Sequence, residues 1–367
     1  MSKKYKIGLV GLGFGSILLS LNSQKTYSQE IRGNENPNDS GECLFEVTGI
    51  SSPRKSLEKL HKIAEKHNVS LYSNDYMDLV NSPDIDIIAI YNPDVLHHEV
   101  CMAALNAGKH VICTKPLTAS LEEAIEITKK VDETGLKFLV GQTMRFEPQY
   151  ASMKKLLDDG DLGDPIVVSA QYIHDMRPVY IETPWRRDMP QDFAYGGLCH
   201  PVDVLRWVCG DVEEVHAYGN KPSLVPGHNT EWDNFLVVLK FKNSVIGSIR
   251  ALFDVVHPPL PMMELVIMGT KGSAVAEFED FEPGEMRVKL DKLPAKYPFK
   301  IPFPPQTSGD RGLGNTVMQY MRHFQDVLLG KCESNPDARD GTKSIAVCDA
   351  IVRSLRSSHP EKVNNDF

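Results

Sequence analysis

The sequence predicts two domains: a doubly wound α/β domain with a parallel sheet over residues 1–141, and an α+β domain with a mostly antiparallel, open sheet over residues 142–367. Three observations predict this. Apolar strand-like runs alternate with amphipathic helical segments up to Gly141, the rhythm of βαβ units. Beyond Gly141 short strand-like runs follow one another directly, several joined by tight turns such as Lys242-Asn243-Ser244 and Thr270-Lys271-Gly272. The length, 367 residues, exceeds the usual size of one domain, and 41% hydrophobic with 24% charged residues suffices for ordinary soluble cores.

The first strand, residues 6–10, runs into Gly11-Leu12-Gly13-Phe14-Gly15-Ser16 and then into the apolar helix start Ile17-Leu18-Leu19. A glycine-rich turn between a strand and a helix is the dinucleotide-binding fingerprint of Rossmann domains. Its glycines allow the tight turn and let the main chain approach a pyrophosphate at the helix N-terminus. Gly11, Gly13 and Phe14 are therefore candidate cofactor residues, although Ser16 stands where the third glycine is usual. Residues 22–42 are polar and read as a surface insertion.

The second strand, 44–50, ends at Ser51-Ser52-Pro53-Arg54-Lys55. An acid at this place would bond the adenosine ribose 2′-hydroxyl, whereas serines beside cations suit a 2′-phosphate, so Ser51, Ser52 and Arg54 favour NADP, with NAD the alternative. An apolar stripe of Leu57, Leu60, Ile63 and Ala64 fits a helix lying on the sheet. Strand 85–90 leads to Asn92, Pro93 and the paired His97-His98, and strand 111–113 leads to Thr114-Lys115-Pro116. Lys115 thus sits at the mouth of a parallel sheet, where such folds bind ligands. Ser120 and Glu123 form a capping box for the next helix, and strand 138–141 closes the alternation.

In the second domain, runs 165–173, 212–218, 235–241, 245–252, 263–268 and 273–278 are strand-like. The proline-rich stretch 293–305 reads as an extended arm or exposed loop, and two helices, near 317–329 and 341–356, end the chain. The residues richest in chemistry are Trp185-Arg186 and the run from Gly196 through His200 to Asp203. Pro201 fits a first helical position and would place His200 at the helix N-cap. There the positive helix end disfavours the imidazolium and suits a general base. The alternatives are a capping histidine, and an Asp203 that only steadies the first turn. Cys199 and His200 lack further ligands for zinc, and neither Cys113 nor Cys199 has an evident orienting base for nucleophilic work, so no metal is expected.

The net charge of −9 argues against a nucleic-acid surface. No apolar run reaches the ~18 residues of a membrane span, and the seven scattered cysteines favour a reducing compartment. A cytoplasmic protein is expected.

Taken together these motifs resemble the Gfo/Idh/MocA family of sugar and inositol oxidoreductases over almost the whole length. Gly11-Leu12-Gly13 is similar to its nucleotide loop, and Asn92-Pro93-Asp94-Val95-Leu96-His97 to its Thr-Pro-Asn-x-x-His stretch near the nicotinamide. The run from Gly108-Lys109-His110-Val111 to Thr114-Lys115-Pro116 is similar to Gly-Lys-His-Val…Glu-Lys-Pro, with Thr114 replacing the usual Glu. Arg145-Phe146-Glu147-Pro148, Trp185-Arg186 and His200-x-x-Asp203 match as well. The resemblance implies that Lys115 polarises the reacting oxygen and His200 is the acid–base residue. It implies cofactor contacts from Asn92, Pro93, His97, Thr114 and Lys115, and substrate contacts from Arg145, Trp185, Arg186 and Asp203. The implied activity is NAD(P)-dependent interconversion of a secondary alcohol and a ketone on a sugar, cyclitol or glycoside, by a homodimer or homotetramer. One departure matters: many members carry Asp four residues before the histidine, where this chain has Gly196, with Asp192 a displaced candidate. A non-catalytic dinucleotide-binding sensor and a small carbonyl or dihydrodiol reductase are the competing expectations.

Overall fold

The computed structural model describes residues 4–22, 43–183, 186, 189, 191–224, 230–278, 285–292, 299–302 and 314–367. The insertion expected at 22–42, apart from Asn22, lies outside the described residues, as do Trp185 and most of 293–305. The chain divides into two compact units, one built from residues 1–118, 122–141 and 317–339, the other from 119–121, 142–316 and 340–367.

The first unit holds a six-stranded sheet in the order β3-β2-β1-β4-β5-β6, formed by β1 (Tyr5–Val10), β2 (Phe45–Ser51), β3 (Leu71–Ser73), β4 (Ile87–Ile90), β5 (His110–Thr114) and β6 (Phe138–Gly141). Every pairing is parallel. Its central strands carry apolar side chains on both faces, so Ile7, Val47, Ile87, Ile88, Val111 and Ile112 are all fully buried, as a sheet covered on both sides requires. The order reverses between β1 and β4, which opens a crevice at their carboxyl ends.

The segment after the glycine loop is a 3-10 helix, Phe14–Asn22, rather than an α-helix. Asn22 ends it by bonding both strand and helix: its Nδ2 donates to Val47 O and His67 O at 2.8 Å, and its Oδ1 accepts from Val47 N at 2.8 Å. Helix Leu57–His67 buries Leu60 and Ala64 of the expected stripe, while Leu57, in its first turn, is 55% exposed.

A late part of the chain completes this unit. From helix Gly314–Leu328, Phe324 stacks on Phe45 with ring centroids 6.5 Å apart, and the Gln325 Oε1 accepts from Leu44 N at 2.9 Å. Farther on, Val140 N donates to Pro336 O at 3.0 Å and Ser334 Oγ to Phe138 O at 2.5 Å, so the edge strand β6 does not stand bare. A contiguous division at 141 does not anticipate this return.

The second unit is a nine-stranded sheet in the order β14-β13-β12-β11-β7-β10-β9-β8-β15. Its strands are β7 (Pro165–Ile173), β8 (Val212–Asn220), β9 (Asn234–Phe241), β10 (Ile246–Leu252), β11 (Met263–Gly269), β12 (Gly272–Phe278), β13 (Glu285–Leu290), β14 (Phe299–Pro302) and β15 (Glu361–Lys362). Among the described strands only β7 with β10 pairs in parallel, so the sheet is mostly antiparallel. Where an arm or loop was expected, residues 299–302 add a strand to β13.

Strand alternation gives this sheet two unlike faces. Phe235, Val237, Leu239 and Ile249 join a core that also takes in Val202 and Leu205 of helix Cys199–Cys209 and Tyr150 and Met153 of helix Pro148–Asp158. The residues between them point the other way, and Tyr218, Val238 and Leu236 are 70%, 62% and 55% exposed.

Candidate active site

Parallel strands bring all their carboxyl ends to one edge, and the predicted cofactor residues gather there. Gly11 follows β1 with φ +99°, and its N–H donates to Ser51 O at 2.9 Å. A Cβ at Gly11 would lie 2.4 Å from Tyr91 O, so the close approach of these two strand ends requires glycine. A Cβ at Gly13 would meet nothing within 4 Å. Phe14 is 44% exposed and stacks on Tyr91.

At the end of β2, Ser51 and Ser52 are buried and Arg54 is exposed. The loop is held by Asn74, whose Nδ2 donates to Ser52 O at 2.9 Å and Lys55 O at 2.6 Å. Sequence reasoning missed Asn74, which lies beyond a three-residue strand too short to register. Ser51 Oγ and Asn92 Oδ1 are buried without a hydrogen-bond partner among the described residues. Two such atoms beside an open glycine turn fit a bound dinucleotide, whose hydroxyl and amide groups can satisfy them.

Thr114 ends β5 and Lys115 follows in the loop, half-buried, with a cis bond to Pro116. Pro93 precedes the turn Asp94–Leu96. His97 was expected to touch the cofactor. Instead it is 1% exposed, and both of its ring nitrogens are committed to main-chain carbonyls, Nδ1 to Pro116 O at 2.8 Å and Nε2 to Asn92 O at 3.0 Å. It has no ring nitrogen left for a ligand.

In the second unit, His200 is buried, and the Tyr172 ring stands edge-on to it with centroids 5.3 Å apart at 85°. It is not the N-cap. The helix begins at Cys199 with Leu198 as cap, in the two-residue turn that follows the short helix Phe193–Gly196. Pro201 is accommodated all the same, since the first turn has no intrahelical use for its missing N–H.

The position of the absent aspartate has a physical reading. A Cβ on Gly196 would lie 2.3 Å from Gln191 Nε2, so the Gln191 amide occupies the space a side chain there would need. Gln191 gave no signal in the sequence because the contact depends on how the short helix folds back. Asp192 caps that helix, accepting from Ala194 N at 2.9 Å.

Arg145 and Asp203, both expected to hold substrate, hold each other. Arg145 Nε donates to Asp203 Oδ2 at 2.8 Å and Nη2 to Oδ1 at 2.7 Å, and both residues are buried. Burial works against the Arg145 charge, but Asp203 and Asp340 outweigh it and raise the guanidinium further. Ser344 Oγ also donates to Asp203 Oδ1, at 3.3 Å, and Arg206 Nη1 donates to Asp340 O at 2.9 Å. This is a bracing network, and it leaves Asp203 little capacity for a sugar hydroxyl. Arg186 is half-buried, with its N–H donating to Thr183 O at 3.0 Å. Trp185 lies outside the described residues.

Among the described residues no group of three or more His, Cys, Asp or Glu is placed to hold a metal ion, and no helix is long and apolar enough to cross a membrane.

A glycine turn and a lysine at the carboxyl edge of a 3-2-1-4-5-6 parallel sheet, with a histidine in an α+β unit, define an NAD-binding oxidoreductase. The chain belongs to the Gfo/Idh/MocA family: residues 5–142 match its NAD-binding Rossmann domain and residues 154–364 its C-terminal alpha/beta domain. It is 30% identical over 240 residues to the uncharacterized oxidoreductase YrbE of Bacillus subtilis, covering 64% of this chain and 67% of the relative. It is 26% identical over 308 residues to the inositol 2-dehydrogenase of Rubrobacter xylanophilus, covering 82% and 81%. Levoglucosan dehydrogenase in complex with NADH and levoglucosan superimposes with a TM-score of 0.80 at 22% identity, over 98% of this chain and 100% of that one, which shows the shared fold.

Proposed function

We propose that this oxidoreductase interconverts a secondary alcohol and a ketone on a sugar, cyclitol or glycoside, with Lys115 and His200 as its proton-handling residues. The observation that carries the reading is the position of Lys115, directly after β5 on the same sheet edge as the glycine turn. A bound nicotinamide would supply the acceptor or donor of hydride. The chain's own part is electrostatic and protic: the Lys115 ammonium stabilises negative charge growing on the substrate oxygen, while the His200 imidazole takes or returns the hydroxyl proton. Asn92 Oδ1 and the open face at Gly13 support cofactor binding at this edge. The names of the inositol and levoglucosan dehydrogenases support the substrate class.

NADP is the proposed preference, because no acid ends β2 and Arg54 is exposed beside Ser52. A homodimer or homotetramer is proposed as well, since the row of exposed apolar side chains on the second-unit sheet suits a second copy. A panel of inositols, free sugars, glycosides and compact carbonyls, assayed with NADPH and NADH and with their oxidised forms, tests the reading. Turnover on a polyol or glycoside, faster with NADP, is the expected result. Cofactor binding without turnover across the panel would replace the enzyme by a sensor, and activity confined to compact carbonyls would replace the substrate class.

A further inference from the structure

His97 opens helix His97–Asn106, and its ring faces two carbonyl oxygens from two different strand-end loops. Asn92 O lies just after β4 and Pro116 O just after β5, next to Lys115. A carbonyl oxygen can only accept. A neutral imidazole carries one N–H, so in that form one ring nitrogen would press its lone pair against a carbonyl lone pair at about hydrogen-bond distance. Two good hydrogen bonds need two N–H groups, and therefore the charged ring.

We propose that His97 is a positioning residue held as an imidazolium, whose two N–H groups clamp the main chain at Asn92 and Pro116 and so set the loop that presents Lys115. The catalytic part of this rests on the proposed role of Lys115; the protonation state does not.

The surrounding groups are consistent with a buried cation. Asp94, 8% exposed, supplies a carboxylate from the preceding turn, and its Oδ1 accepts from Val95 N at 3.2 Å. Cys113 of β5 is within hydrogen-bonding reach of the ring and of Cys101, on the same helix as His97, and Tyr91 and Tyr320 lie close enough to interact with Cys113. Burial opposes the charge, but Cys113, Asp94 and the Pro116 carbonyl overcome it and hold His97 up at about 9. Burial also opposes ionisation of the Cys113 thiol, which Cys101 and His97 nevertheless draw down. A histidine raised in the folded state contributes stability that is fully present below its ordinary pKa of about 6.5. That contribution is lost as the pH rises through about 9.

The test uses the full-length protein labelled with 15N in histidine. Long-range proton–nitrogen correlation, assigned through His97→Gln, is expected to show both His97 nitrogens protonated at pH 7, giving way to a neutral tautomer only as the pH passes about 9. A lone-pair nitrogen at pH 7 overturns the proposal even if no substrate has been found. Given a substrate, His97→Gln, which can reach only one of the two carbonyls, is expected to lower kcat by about 10²-fold, the scale of a 1 Å misplacement. The KM for the nicotinamide cofactor should stay within about twofold. A raised cofactor KM with unchanged kcat would return His97 to direct cofactor contact.

Discussion

Lys115 and His200 illustrate what single residues disclose. The lysine was legible because parallel strands deliver their carboxyl ends to one edge, so a polar residue right after an apolar run is placed by topology alone. Lys115→Met is therefore expected to keep cofactor affinity, measured by nicotinamide fluorescence, while kcat falls about 10²–10³-fold, the usual loss when one stabiliser of a developing oxyanion is removed. Full turnover in that variant would take the lysine out of the reaction. The place of His200 on its helix was misread, because Pro201 tolerates several first-turn positions and the helix starts one residue before His200, at Cys199. Arg145 and Asp203 were named for the substrate, but their pairing escaped, since nothing in a sequence announces that side chains 58 residues apart will bond.

Between elements, that pair ties the turn Thr143–Phe146 to helix Cys199–Cys209, and Asp340 and Ser344 bring in helix Ala338–Ser357. Removing one member leaves a buried guanidinium short of its counter-charge, which costs about 3–5 kcal/mol. Asp203→Ala should lower the urea midpoint accordingly, with cofactor affinity unchanged. A variant of normal stability but raised substrate KM would instead support substrate contact at Asp203. Strands with clear period-two patterning, such as β9 and β10, were read nearly to the residue. β3 and β15 were not, being three and two residues long, and their pairing partners define them more than their own composition does.

For the molecule as a whole, the exposed row that includes Val238, Leu236 and Tyr218 sits on a broad sheet with no covering helix on that face among the described residues, and contiguous apolar surface of this kind marks association sites. Val238→Asp is expected to shift the protein toward monomer in sedimentation velocity, with its circular dichroism unchanged. A wild-type protein already monomeric at micromolar concentration would remove the proposed assembly. The helix Gly314–Leu328 bears on a different matter, the order in which the chain is made. A ribosome releases the nucleotide-binding strands early, yet the residues that cover Phe45 and the β6 edge emerge much later. Until then the first unit waits with an apolar flank open, so it is finished only after most of the second unit has been made. Any product truncated before Val317 inherits the exposed flank as an aggregation hazard.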